Sequence, residues 1–191
     1  MNNSIKQYNL IRSKRKTIGL EITDDGLLVR APMRASKREI ERMIASHENW
    51  INKKMVLHKQ AQASALSKGI LSESDILRLN KQAKEYIPQR VDHYAPLLGV
   101  HPGRITIRKQ KTRWGSCSAK GNLNFNCLLM LTPPETIDSV VVHELCHLIE
   151  MNHSDRFYEA VLSVFPDYRK HHTWLRKHGP EIMARAFTTS R

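Results

Sequence analysis

The sequence predicts an α+β fold, with a small antiparallel β-sheet at the N-terminal end and long helices after it. Three observations carry this reading. Short β-favouring runs occupy residues 5–31, a second group occupies 104–131, and apolar residues recur at helical spacing between and after them. The composition agrees. A chain of 191 residues with 40% hydrophobic and 26% charged residues, 8 Gly and 8 Pro is neither collagenous nor low-complexity nor disordered.

Leu10 and Ile11, then Ile18, Leu20 and Ile22, then Leu27 to Val29 mark three strands, and Asp24-Asp25-Gly26 supplies a turn between the last two, so a meander is expected. Ser36 and Glu39 form a capping box that opens a helix carrying Ile40, Met43, Ile44, Trp50, Ile51 and Met55 to about residue 66. Ser72 and Asp75 open a second helix with Leu79, Ala83, Ile87, Val91 and Leu98 on one face. Residues 104–109 read as a strand, 115–122 as turns and 123–131 as a returning strand. After Pro133-Pro134, residues 135–151 read as one helix with a stripe at Ile137, Val140, Val141, Leu145 and Leu148. Helices over 154–164 and 167–177 follow, then a polar tail after Gly179. The organisation expected is a meander plus helix over 1–60, a helical connection over 61–100 and a core over 101–191, packed as one compact unit.

No apolar run is long enough to cross a bilayer, and residues 1–6 lack a basic-then-apolar leader, so a cytoplasmic location is expected. Cys117, Cys127 and Cys146 form no C-x-x-C pair and read as reduced, small buried groups or loop thiols. With 31 Lys and Arg against 18 Asp and Glu the net charge is +13, concentrated toward the N-terminal end, which favours anionic partners in general. Arg12, Lys14, Arg15 and Lys16, together with Arg108, Lys109, Lys111 and Arg113, form a candidate basic face for phosphates. No RNA-recognition or helix-turn-helix signature accompanies them.

The chemistry concentrates in His143-Glu144-Leu145-Cys146-His147. Residues four apart on a helix are separated by about 40° and about 6 Å, so both imidazoles project from one face and can bind one metal ion. Glu144 stands beside that face, placed to take a proton from a water on the metal. A third ligand is needed. His153 can serve if the helix stops, with Asn152 in a left-handed conformation and Ser154 with Asp155 capping the next helix. Glu150 competes from the same helix face and ranks below His153. Trp114 reads as a cleft wall. Ser116 has no base to activate it, and His171, His172 and His178 read as solvated.

Taken with Arg113-Trp114-Gly115-Ser116-Cys117 and Leu123-Asn124-Phe125-Asn126, the pattern resembles the YgjP-like metallopeptidase family, related to the zincins of the M48 and SprT-like groups. The resemblance extends to Ile11-Arg12-Ser13, Arg15-Lys16-Thr17-Ile18, Ala31-Pro32, Asn152-His153-Ser154 with Phe157, and Phe165-Pro166-Asp167-Tyr168. Tyr158 departs from the family's usual Trp. The resemblance implies a zincin-like core with one Zn2+ held by His143, His147 and His153, and Glu144 as general base and acid.

The expected function is therefore a zinc-dependent metallohydrolase acting on peptide bonds, with Arg113, Trp114, Asn124 and Asn126 as substrate contacts and an extended peptide adding to the 123–126 strand. Two alternatives stand beside it. One is a metal-dependent nucleoside triphosphate or phosphodiester hydrolase, and the other is a zinc module that docks on nucleic acid through the basic N-terminal region.

Overall fold

The computed structural model describes residues 7–188 and divides into two compact units between Ser64 and Ala65. Mixed α and β structure with small sheets and long helices is what the sequence predicts. In the first unit, β3 (Gly26–Pro32) lies between β1 (Asn9–Ser13) and β2 (Gly19–Thr23). β2 and β3 form the expected antiparallel hairpin, turned at Gly26 with φ 101°. β1 pairs with β3 in parallel, from Asn9 opposite Leu28 to Ser13 opposite Pro32, so the sheet is mixed rather than a meander. A feature outside any strand pattern sets this arrangement. Nη1 of Arg12 lies within hydrogen-bond distance of the Pro32, Met33 and Ala35 carbonyl oxygens, at 3.1, 3.0 and 2.7 Å, which ties the end of β1 to the end of β3. Its Nη1 is thereby occupied by the backbone, while the side chain stays exposed.

Leu27, Val29 and Ala31 turn their alternate face onto Ile40, Ile44 and Ile51. The capping box is present, Glu39 N donating to Ser36 Oγ and Ser36 N to Glu39 Oε2. The expected single helix is two, α1 (Lys37–Ser46) and α2 (Glu48–Lys68). The Met43 carbonyl is taken by Ser46 Oγ and meets His47 Nδ1, both at 3.0 Å, while the His47 amide turns to Ile44. Local side-chain bonds of this kind compete with the helical ladder.

The second unit is built around α4 (Pro134–Cys146), whose residues are buried on almost every side. α3 (Glu73–Leu97), opened by the Ser72–Asp75 box, lays Leu79, Ala83, Ile87 and Val91 into the same core. A three-stranded sheet runs in the order β4 (Ile105–Arg108), β6 (Leu123–Asn126), β5 (Gly115–Cys117). β6 is parallel to β4 and antiparallel to β5. As the inner strand it has no free edge, so the 123–126 segment cannot accept an added peptide strand as expected.

The returning strand stops at Asn126 because its Oδ1 accepts the Leu128 amide and caps a 3-10 helix over Cys127–Leu131. α5 (Asp155–Val164) and α6 (Tyr168–Phe187) complete the unit. α6 runs ten residues past the expected end at 177. Gly179 is a site of close approach rather than a stop, since a Cβ there would lie 3.0 Å from Trp114 Cζ2. Among the described residues no helix is long and apolar enough to cross a membrane.

α3 and α4 are locked by Arg90, whose Nε and Nη2 donate to Asp138 Oδ1 and Oδ2 at 2.7 and 2.9 Å, and Tyr94 donates to Oδ2 at 3.2 Å. Removing the carboxylate leaves the guanidinium and the phenol without their shared acceptor. Asp138→Ala is expected to lower the unfolding free energy by about 2–4 kcal/mol in urea titration. A loss below about 0.5 kcal/mol would show that the lock adds nothing to packing.

Candidate metal centre

Three imidazoles meet at the C-terminal end of α4. His143 and His147 project from one face, and Nε2 of His153 comes within 3.1 Å of His143 Nε2. One ring nitrogen from each of the three residues lies within 4.8 Å of the others. The chain returns to α4 because the helix ends at Cys146 and closes through a tightened turn, Leu148 N to the Leu145 carbonyl and Ile149 N to the Cys146 carbonyl. Asn152 does not supply the stop. No non-glycine residue among those described has a positive φ, so the expected left-handed Asn152 is absent.

Glu150 works within this turn rather than at the cluster. Its carbonyl oxygen meets His147 Nδ1 at 3.2 Å and its Oε1 accepts the Asn152 amide at 3.2 Å. Ser154 then N-caps α5 by accepting from Phe157 N.

The donor set suits a divalent first-row metal. The Glu150 carbonyl can only accept, so His147 carries its proton on Nδ1 and keeps a bare Nε2. His143 Nδ1 is held 2.8 Å from the buried Tyr168 hydroxyl. Two nitrogens on a tetrahedral ion at ~2.0–2.1 Å would stand about 3.3 Å apart, near the spacing found for His143 and His153. Phe157, fully buried, lies beneath all three rings, with centroids 5.0, 4.7 and 4.9 Å from His143, His147 and His153. Burial pushes the His143 pKa down to about 3, reinforced by His147, His153 and His172, so this ring is neutral and needs no deprotonation to bind a cation.

Beside the cluster is a cleft of about 280 Å³. Its floor is α4 with His143 and Glu144, one wall is residues 112–115, and the other is the face of α6 bearing Tyr168, His172, Leu175 and Arg176. Those four residues follow helical spacing, a signal available in the sequence. His172 is exposed and stacks on Tyr168, so it belongs to the cleft rather than to bulk solvent, whereas His171 and His178 are half-buried against Phe165 and Trp174.

Arg113 and Trp114 line the cleft. Asn124 instead donates across the sheet to Ser116 Oγ at 3.3 Å. Asn126 is fully buried, and its Nδ2 donates to the Gln110 and Arg113 carbonyls at 2.7 and 2.8 Å, so its amide orders the wall. Cys127 and Cys146 are core residues, Cys146 with its thiol pushed up to about 12 by burial, and Cys117 is half-buried in β5.

Glu144 is 5% exposed, and burial pushes its pKa up to about 8 against the opposing pull of Arg113. Gly115 makes room for it. A Cβ there would fall 2.5 Å from Glu144 Oε1 and 2.7 Å from its Cγ. Between the ordinary 4.5 and about 8 the folded chain holds a proton on Glu144 that the unfolded chain releases, so this contribution to stability falls as pH rises through that window. Metal-free Glu144→Gln is therefore expected to be more stable than wild type by about 1–3 kcal/mol at pH 8.5 and equal to it near pH 4.5. Denaturation curves at the two pH values check this, and a pH-independent difference would contradict it.

The family model for the YgjP-like metallopeptidase domain matches residues 16–78 and 74–178. Among solved structures, the chain is similar to the zymogen of the metallopeptidase abylysin from Pyrococcus abyssi, with 23% identity, TM-score 0.44, and coverage of 48% of this chain and 93% of that one. It is also similar to the zymogen of jannalysin from Methanocaldococcus jannaschii, with 20% identity, TM-score 0.43, and coverage of 48% and 94%. No curated protein matches significantly. Since the family model spans most of its length, the chain belongs to the YgjP-like metallopeptidase family.

Proposed function

We propose that the chain is a zinc-dependent peptidase in which His143, His147 and His153 hold one ion and Glu144 is the general base. The observation that carries this reading is the convergence of three imidazole nitrogens beside a cleft floored by a buried carboxyl group. Three neutral nitrogen ligands suit zinc better than magnesium or calcium, which prefer oxygen. When bound, zinc supplies Lewis acidity at the scissile carbonyl and at the attacking water.

The chain's own groups do the rest. Glu144 accepts the water's proton and returns it to the leaving amine. Tyr168 orients His143 through Nδ1, and the Glu150 carbonyl orients His147. An extended peptide would add to β5, which is paired on one side only and whose Gly115 adjoins Glu144.

A mixture of unfolded peptides and nucleoside triphosphates, incubated with zinc-loaded wild type and Glu144→Gln and read by mass spectrometry, tests the reading. Peptide cleavage is expected, with a loss of at least about 100-fold in the variant at equal zinc content. Nucleotide cleavage that depends on Glu144, with peptides intact, would move the site to phosphoanhydride chemistry. Equal cleavage by both proteins would remove Glu144 from the mechanism.

A further inference from the structure

The cleft carries a charge pattern that the hydrolytic machinery does not use. Arg113 leads into β5 on one wall, and Arg176 stands on α6 one turn beyond His172 on the other. Both side chains are exposed, and neither has an ion-pair or hydrogen-bond partner among the described residues. Among the described residues, Glu144 is the only acidic one lining the cleft, and it is buried in the floor. Elsewhere in this unit Arg90 pairs with Asp138 and Arg78 with Asp75. The same lining mixes apolar Trp114, Val140 and Leu175 with uncharged polar groups such as Ser139 and Tyr168. Two unpaired guanidinium groups on opposite walls of a cleft beside a reacting centre match a ligand that carries an anionic group, and the planar fork of arginine suits a carboxylate.

Resting on the peptidase reading, we propose that Arg113 and Arg176 receive a substrate carboxylate close to the scissile bond, so that the enzyme selects acidic peptide segments. The carboxylate can come from an Asp or Glu side chain or from the peptide's own C-terminus, and both present the same group to the arginines.

The test uses the zinc-loaded full chain and matched peptides that differ only by Glu against Gln beside the cleaved bond, each with a free or amidated C-terminus. Wild type is expected to prefer a carboxylate-bearing peptide by about tenfold or more in kcat/KM, and the preference should fall toward one in R113Q/R176Q. Loss of the preference on amidation alone identifies the terminal carboxylate as its source, and loss on Glu→Gln alone identifies the side chain. Binding of a labelled Glu peptide to Glu144→Gln, followed by anisotropy, gives a second readout that needs no turnover. It should weaken in the arginine variants and with added salt.

Cleavage of the Glu and Gln peptides, free and amidated alike, at equal rates would overturn the inference while leaving the peptidase reading intact. A preference unchanged in R113Q/R176Q would overturn it as well. Cleavage of nucleoside triphosphates with no peptide cleaved or bound would overturn both, and would reassign the arginines to phosphate.

Discussion

Three imidazoles can converge on one point here only if the helix bearing the first two ends at once after the second. Continued as a helix, residue 153 would lie about 15 Å along the axis from His143, beyond any shared ion. The turn after Cys146 is therefore the constraint on which the site depends. It is built from ordinary parts: i+3 hydrogen bonds, a glutamate serving the loop through both its carbonyl and its carboxylate, and a serine cap that starts α5 in the right place. Phe157 ties the outcome to the core, because the residue that fills the space under the three rings is the one whose amide receives that cap.

Burial of α4 sets the electrostatics. The same dry surroundings disfavour charge on both neighbours, so His143 is held neutral far below its usual range and Glu144 holds a proton far above its own. Both effects oppose the fold of the metal-free chain, His143 as pH falls below the ordinary imidazole value and Glu144 as pH rises above the ordinary carboxyl value. A cation held by the three imidazoles would relieve the second and exploit the first. The cleft wall follows from equally specific packing, with Gly115 leaving space for Glu144, Gly179 admitting the Trp114 ring, and Asn126 holding the backbone that carries Arg113.

Features encoded locally were legible in the sequence. The capping boxes at Ser36 and Ser72 and the spacing of His143 and His147 need only a few neighbouring residues to be read, and the structure contains both boxes and brings those two rings together with His153. What escaped was decided by distant partners. The parallel placement of β1 depends on Arg12 finding carbonyls twenty residues away. β5 is three residues long and looks like a turn until β6 lies beside it. Asn126 resembles a contact residue from its neighbours, and only the folded 110–113 segment shows where its amide goes. α6 outruns its apparent Gly-Pro stop because Trp114, from another element, fills the space beside Gly179.

The most direct test of the account is metal binding itself. Cobalt titration of the metal-free chain, followed by visible absorption and by elemental analysis after dialysis, should give one ion per chain with the intense d–d bands of a four-coordinate nitrogen site. His153→Ala should keep its circular dichroism and lose at least about 100-fold in affinity. Wild type that binds no ion, or a His153→Ala variant that binds it equally well, would contradict the three-histidine centre.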